Sequence, residues 1–412
     1  MILLSFLLFS LSAFSDECFV NLEARNLINM AVEKQIDVTL AQKETPIIEG
    51  YIRNAQKITN PELEHFTTTG NQQGDNNVTS ESRLWFHIQT NGKRRKRADV
   101  FRADQERNEV NIQVLQTQVR RNLFLNILRN KQLLDEQARI EGIKDVLDEL
   151  LQKYKKITYL SAEQILEKGS LEVANEELEI SLLLLKNEIS GINKFYQSVT
   201  RSECRVALIT NPKVRKNSWP DLSDYTFQPE RSLFTKLGEI ALEKSKLEFT
   251  REQANAYPDL RIGPMWQLNK LGNTEYNLFG VGFILPIPST DLNQGMKQAA
   301  KAGIARNEKQ LDFQQEEMRR EFRLNHVRYM SSYKQVMDFR KTEGFQGQIL
   351  ENRKLFGRGL ISIPLFLTYK REVVGLITKV HELELDLAQY LADLLIINNA
   401  PLDDNSLKVL NL

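Results

Sequence analysis

VVGLITKVHELELDLAQYLADLLII, Val373 to Ile397, places Val373, Leu376, Val380, Leu383, Leu387, Tyr390, Leu394 and Ile397 at steps of three and four over 25 residues. Sustained 3–4 spacing keeps one apolar seam on one face of a helix and turns it toward a partner helix. Leu178, Leu182, Leu185, Ile189, Ile192 and Tyr196 repeat the pattern, as do Ile143, Leu147, Leu150 and Tyr154. The helix expected from Gly92 to Lys156 covers 65 residues, with Gly142 the only breaker inside it. At 1.5 Å per residue it reaches ~98 Å, longer than a globular domain is wide. The whole chain has only 19 Gly and 11 Pro in 412 residues, which suits long uninterrupted helices.

The chain also repeats itself. Asn60-Pro61-Glu62-Leu63 returns as Tyr257-Pro258-Asp259-Leu260, and Val119-Arg120-Arg121 as Met318-Arg319-Arg320. Glu141-Gly142 returns as Glu343-Gly344, and Glu177-Leu178-Glu179-Ile180 as Glu382-Leu383-Glu384-Leu385. The offsets of 197, 199, 202 and 205 drift steadily, as small insertions make them. Each copy reads as a helical opening (Leu22 to Lys57; Leu233 to Ala256), two short strands, a very long helix, a polar tip and a second long helix. We divide the chain into a signal peptide (1–15), a first repeat (16–200), a linker (201–230), a second repeat (231–398) and a C-terminal tail (399–412). The linker carries Pro212, Trp219-Pro220 and Pro229 and predicts little regular structure.

The strands alternate. Leu84, Phe86 and Ile88 alternate with Trp85, His87 and Gln89, and Phe279, Val281 and Phe283 with Gly280, Gly282 and Ile284. Leu260, Ile262, Trp266 and Leu268 share a face interrupted by Pro264. Period-two segments with Trp, bounded by turns, fit strands tilted through an outer membrane, with Leu84, Phe86, Ile88, Phe279, Val281 and Phe283 toward lipid. Asn71 to Ser80 and Lys270 to Tyr276 are polar and predict surface loops. Four strands cannot close a membrane barrel, and an open sheet edge is not viable in lipid. The chain must therefore borrow strands from other copies of itself.

Composition excludes other classes. The 55 Lys and Arg against 54 Asp and Glu leave a net charge of +1, which gives no electrostatic case for a nucleic-acid binder. The basic run Lys93-Arg94-Arg95-Lys96-Arg97 reads instead as a solvated collar where a strand leaves the membrane. Beyond residue 15 no apolar run approaches the ~20 residues of a spanning helix. Two cysteines and four scattered histidines (His65, His87, His326, His381) offer no metal-ligand spacing, so we expect no metal or other cofactor. There is no phosphate loop, nucleophile elbow or carboxylate–histidine cluster, and an enzyme is not expected. Asn77-Val78-Thr79 matches a glycosylation sequon and is read as incidental.

Met1 to Phe14 is apolar or small, and Ala13-Phe14-Ser15 sets small residues where a signal peptidase reads them. Export to an oxidising compartment allows Cys18 and Cys204 to pair, two free thiols being the alternative. Asp16 and Glu17 stand where lipid attachment to Cys18 would need small residues.

Over nearly the whole mature chain these residues resemble the TolC-like outer-membrane efflux proteins. Pro258-Asp259-Leu260, Gly280-Val281-Gly282-Phe283-Ile284-Leu285-Pro286-Ile287-Pro288 and Asn293-Gln294-Gly295 look like that family's strand–strand–helix entry. Phe356-Gly357-Arg358-Gly359-Leu360-Ile361-Ser362 looks like its periplasmic tip. Asn60-Pro61-Glu62-Leu63 and Asn91-Gly92-Lys93-Arg94 look most like the CzcC-like branch serving heavy-metal cation pumps.

The resemblance implies a mainly α fold with a small β part: a homotrimeric outer-membrane β-barrel, four strands per chain, above a periplasmic tunnel of antiparallel helices. It implies a passive exit duct, with a periplasmic adaptor and an inner-membrane pump of the resistance-nodulation-division type as partners. A periplasmic adaptor or a coiled-coil scaffold is the alternative, although neither needs two hairpins and two strand pairs. Adaptor docking falls to the tips, at Tyr154, Lys156, Thr158, Ser161, Phe356, Arg358, Gly359, Leu360 and Ser362. Leu365 and Thr368 stand where relatives carry acidic gate positions. Glu163 and Glu167, spaced i, i+4 after the first tip, join Leu365 and Thr368 as gate candidates, a merely solvated pair being the alternative.

Overall fold

The computed structural model describes residues 19–72, 75–208, 219–288, 292–341, 355–356 and 361–400. The expected signal peptide, Cys18, Arg358, Gly359, Leu360 and most of the C-terminal tail lie outside these residues. Among the described residues seven helices of eleven residues or more carry the chain: α1 (Ala24–Lys34), α2 (Ile36–Gln56), α3 (Lys93–Lys155), α4 (Ala162–Thr200), α5 (Leu233–Asn255), α6 (Gln294–Lys341) and α7 (Ile363–Ile397). Six strands accompany them: β1 (Phe19–Leu22), β2 (Glu62–Gln72), β3 (Asp75–Ile88), β4 (Arg205–Leu208), β5 (Leu260–Leu271) and β6 (Thr274–Ile284).

α3 runs unbroken for 63 residues, about 95 Å at the standard rise. The predicted opening helix is divided at Gln35, whose extended backbone (ψ 131°) ends α1 and starts α2. The linker holds one more strand than expected. β4 pairs in parallel with β1, Phe19 opposite Arg205 and Leu22 opposite Leu208. Only long-range pairing stabilises a four-residue strand, so local pattern does not reveal it.

β2, β3, β5 and β6 form one antiparallel sheet in that order. The strands reach farther than alternation suggested. Asn71 to Ser80 and Lys270 to Tyr276, expected as loops, are mostly ladder: Asn71 pairs with Asn76, Ser80 with Thr67, and Leu271 with Thr274. Polar residues on both faces erase the period-two signal, yet the backbone ladder continues through them. The β5–β6 turn shrinks to Gly272-Asn273, with Gly272 at φ +56°.

Trp85 is only 3% exposed, and the neighbouring strands approach closely around it. A Cβ on Gly263 would lie 1.7 Å from the Leu84 carbonyl oxygen, and one on Gly282 would lie 2.8 Å from the Trp85 ring. Pro264 offers no amide, and the β3–β5 ladder skips Leu84 and Trp85 there.

Below the sheet, α2, α3, α5 and α6 pack side by side in that order. Farther along, α3 packs on α4 and α7, and α6 on α7. The largest core sits at this waist, where Leu27, Phe124, Ile127, Tyr196, Tyr329 and Leu387 are fully buried or nearly so. The linker wraps onto α6, with Tyr329 Oη donating to the Pro220 carbonyl at 2.6 Å. A buried polar group ties three helices together. Glu136 of α3 meets His381 Nδ1 of α7 at 2.7 Å, and Arg129 bridges it to Glu188 of α4. Burial pushes the nearby Lys131 ammonium down, against the pull of Glu384 and Asp135.

Gly263→Val should destabilise the sheet by about 3 kcal/mol or more, because backbone cannot yield to a new side chain. Gly50→Ala, on an open helix face, should leave stability unchanged or slightly raised. Thermal unfolding of the two purified variants checks both.

Candidate functional site

Two regions concentrate the unusual surface chemistry: the outer face of the sheet and the hairpin ends of the long helices. Ladder register places Leu63, Leu84, Phe86, Ile262, Pro264, Trp266, Phe279, Val281 and Phe283 on one face. Phe279, Val281 and Phe283 are 73–81% exposed, and Leu84, Phe86 and Ile88 are exposed as well. Each such side chain left in water forgoes roughly 1.5–3 kcal/mol of burial. A contiguous apolar face of this kind marks a surface made for another apolar phase. The opposite face is polar. Trp85 Nε1 donates to Glu64 at 2.8 Å, Arg83 pairs with Glu81 at 2.5 Å, and His87 and Arg261 both face Glu62. Within this four-stranded sheet β2 and β6 each have one neighbour, so each keeps an edge of backbone groups to be paired.

At the first tip, Lys156 ends α3 and Ser161 starts α4 with a capping box. Ser161 Oγ accepts from the Gln164 amide at 3.2 Å, and Gln164 Oε1 accepts from the Ser161 amide at 3.0 Å. Tyr159 projects at 90% exposure, and Thr158 is exposed beside it. Tyr154 and Glu167 clamp the hairpin, the phenol donating to the carboxylate at 2.6 Å. Burial, the Glu167 hydrogen bond and the nearby Glu163 charge push the Tyr154 hydroxyl up to about 12. The two gate candidates are therefore not equivalent: Glu163 is exposed, whereas Glu167 is engaged with Tyr154.

At the second tip, the Ser362 carbonyl accepts from the Phe366 amide, and Pro364 occupies the first turn of α7. Phe356 stacks on Phe366 with ring centroids 3.9 Å apart. Leu365 is 60% exposed, and the Thr368 hydroxyl turns back to the Pro364 carbonyl.

The two tips meet. Ile363 and Leu367 of α7 pack on Leu147, Leu151 and Leu171 of the first hairpin. Arg371 reaches Glu177 at 2.7 Å across the two hairpins, and within the first hairpin Lys144 reaches Glu179 at 3.0 Å. A groove of roughly 570 Å³ remains between α4 and α7, lined by Ile165, Leu166, Val173, Pro364, Leu367 and Arg371.

A second hollow, roughly 660 Å³, lies under the sheet and is lined by all four helices of the upper layer. Tyr51, Asp104, Asn111, Asn307, Gln310 and Gln314 contribute to it. A space shared by four adjacent helices must lie on the concave side of their layer. Sequence periodicity missed this polar lining because amides carry no hydrophobic signal.

Cys204 is disulfide-bonded, and the β1–β4 pairing begins directly after it, with Phe19 opposite Arg205. Cys18-Phe19-Val20 and Cys204-Arg205-Val206 share one spacing, a signal available before the structure. The four histidines sit apart on β2, β3, α6 and α7. Among the described residues no group of three His, Cys, Asp or Glu side chains gathers for a metal ion, and no helix is long and apolar enough to cross a membrane.

No family model and no curated protein matches the sequence. Solved structures do. CusC, described as forming a transmembrane channel, superposes with a TM-score of 0.70 at 13% identity over 92% of each chain. The Campylobacter jejuni CmeC outer membrane channel gives 0.67 at 12% identity, over 94% of this chain and 89% of that one. The chain has the fold of the outer-membrane channels. The open Neisseria gonorrhoeae MtrE outer membrane channel also gives 0.67, at 11% identity over 91% and 88% of the two chains.

The Tyr154 clamp yields a pH test. A hydroxyl held above its unfolded value near 10 contributes stability below that pH and loses it as pH rises toward 12. Amide exchange at 150–168, taken relative to its base-catalysed intrinsic rate, should therefore accelerate across that window in the native chain. In Tyr154→Phe it should be faster already at neutral pH, by a local loss of about 1 kcal/mol, and flatter through the same window.

Proposed function

We propose that this chain is the outer-membrane exit duct of a tripartite efflux system, carrying substrate passively from a pump and adaptor to the cell exterior. The observation that carries this reading is the apolar-faced sheet with two open edges, set on helices up to about 95 Å long. In lipid those edges need partners. Three copies supply twelve strands, and β2 of one copy adds to β6 of the next. The helical layer supports the same head-to-tail contact, because each end of it carries exposed apolar residues. α2 presents Ile36, Leu40 and Ile47, and α6 presents Phe313, Leu324 and Val327. Different patches meeting around a closing rotation make a ring. Native mass spectrometry of detergent-extracted protein should give a trimer, and Phe313→Asp should shift it toward monomer. A monomer that remains stably inserted would overturn the barrel.

In this reading the mature chain is a tandem repeat, 16–200 and 231–398, preceded by a cleaved signal peptide and joined by the linker. The Cys204 disulfide closes on Cys18, the only other cysteine in the sequence. Non-reducing peptide mapping should recover the two peptides joined. Two free thiols in exported protein would refute the pairing. The tips dock the adaptor, supported by the apolar groove between α4 and α7 and by rigid helices that fix short turns. Glu163 and Leu365, both exposed at the tips, are the gate positions best placed to act. In planar bilayers Glu163→Gln should reduce cation preference, and an unchanged conductance ratio would place the gate elsewhere. Heavy-metal cations are the cargo that the CzcC-like sequence features favour. Deletion of the gene from its host should then raise metal sensitivity more than drug sensitivity.

A further inference from the structure

Both helices that descend from the sheet begin basic and then change. From Lys93 to Arg102, α3 has six cations and one acid, Asp99. From Gln294 to Arg306, α6 has Lys297, Lys301 and Arg306 and no acid. Directly below, acids return at Asp104, Glu106 and Glu109 on α3 and at Glu308, Asp312 and Glu316 on α6. The excess of positive charge lies in the turns next to the apolar sheet face.

Helical geometry gives these cations a direction. Arg95 precedes Asp104 by nine residues, which is two and a half turns, and so points away from the concave hollow that Asp104 lines. Its side chain is 86% exposed. Arg102, two turns on, shares this outer face and pairs with Asp99. Lys297 and Lys301 precede Phe322 and His326 by about seven turns each and share their face. That face holds the linker, through the His326 contact to the Leu222 carbonyl at 2.7 Å, and Lys301, nine residues before Gln310, points away from the part of the hollow that Gln310 lines. Lys297 and Lys301 make no ion pair among the described residues. Lys93 is spent otherwise, buried against Asp259 and the Tyr257 carbonyl.

Between the cations and the apolar sheet face lies an exposed margin of Ile58, Tyr257 and Ile287. Apolar side chains, an amphipathic aromatic and then cations reproduce the order of a bilayer from acyl chain to headgroup. We propose that Arg95, Lys297 and Lys301, with Arg102 beside them, form a collar that binds anionic headgroups of the adjoining lipid leaflet. The collar rests on the reading of the sheet as the membrane segment. Its function is vertical registration: the apolar face sets which phase the sheet enters, and the collar sets the depth at which it stops.

The test uses the full mature chain and Arg95→Gln/Lys297→Gln/Lys301→Gln, none of which lies in the sheet or at the tips. Flotation with phosphatidylcholine vesicles reads insertion alone, and both proteins should float. Fluorescent phosphatidylglycerol and phosphatidylcholine in detergent micelles then read headgroup choice. The native chain should favour phosphatidylglycerol by about tenfold, and the triple variant should lose that preference, on the scale of screened surface cations. Inorganic phosphate should not compete. A native chain without preference, a variant that keeps it, or displacement by inorganic phosphate would each overturn the collar while the membrane reading stands. Failure of both proteins to float would bring down the membrane reading and the collar together.

Discussion

An unpaired backbone amide or carbonyl costs several kcal/mol in hydrocarbon, and the proposed assembly answers that cost. The sheet β2-β3-β5-β6 satisfies its interior groups by ladder pairing and leaves two edges. Its outer face carries Phe279, Val281 and Phe283 in the open. These features conflict in water and agree in lipid, provided that other copies complete the sheet. Gly263 and Gly282 allow the close packing around Trp85, because a side chain at either would meet backbone or ring.

The helices inherit their arrangement from the strands. α3 and α6 leave the sheet side by side with α2 and α5, and the layer beneath holds a polar hollow that all four line. At the waist the burial changes character. Tyr196, Tyr329 and Phe124 are packed away, and the Arg129–Glu136–His381 group crosses between helices. Removing one member would leave a buried charge without its partner, which costs more than the intact group contributes. The waist therefore holds α3, α4 and α7 in one register from the sheet to the tips.

At the tips the logic reverses. The Tyr154–Glu167 clamp and the Ser161 capping box hold the first hairpin together. Its outer surface nevertheless keeps Ile165, Leu166 and Val173 exposed. A braced hairpin with an open apolar groove is the surface on which the proposed docking rests. Solvated cross-links such as Arg371–Glu177 restrain the two hairpins only weakly, as exposed ion pairs do.

Much of this was legible in the residues alone. The 3–4 spacing from Val373 to Ile397 and the breaker-free run after Gly92 specify long helices, because periodicity is a local property of the chain. The alternation at Leu84-Trp85-Phe86 likewise specified which side chains share a face, because strand geometry leaves two choices. What the sequence did not determine depends on distant partners. The polar hairpin ends at Asn71 to Ser80 became strand only because a neighbouring backbone lies alongside. β4 exists only because β1 pairs with it. Gln35 divides two helices although no Gly or Pro marks the break. Glu167 looked equivalent to Glu163 by spacing, and only the fold brought Tyr154 within 2.6 Å of one of them. Local pattern fixes an element's type and its faces; which faces meet is decided by chain-distant backbone and side-chain contacts that no window of sequence contains.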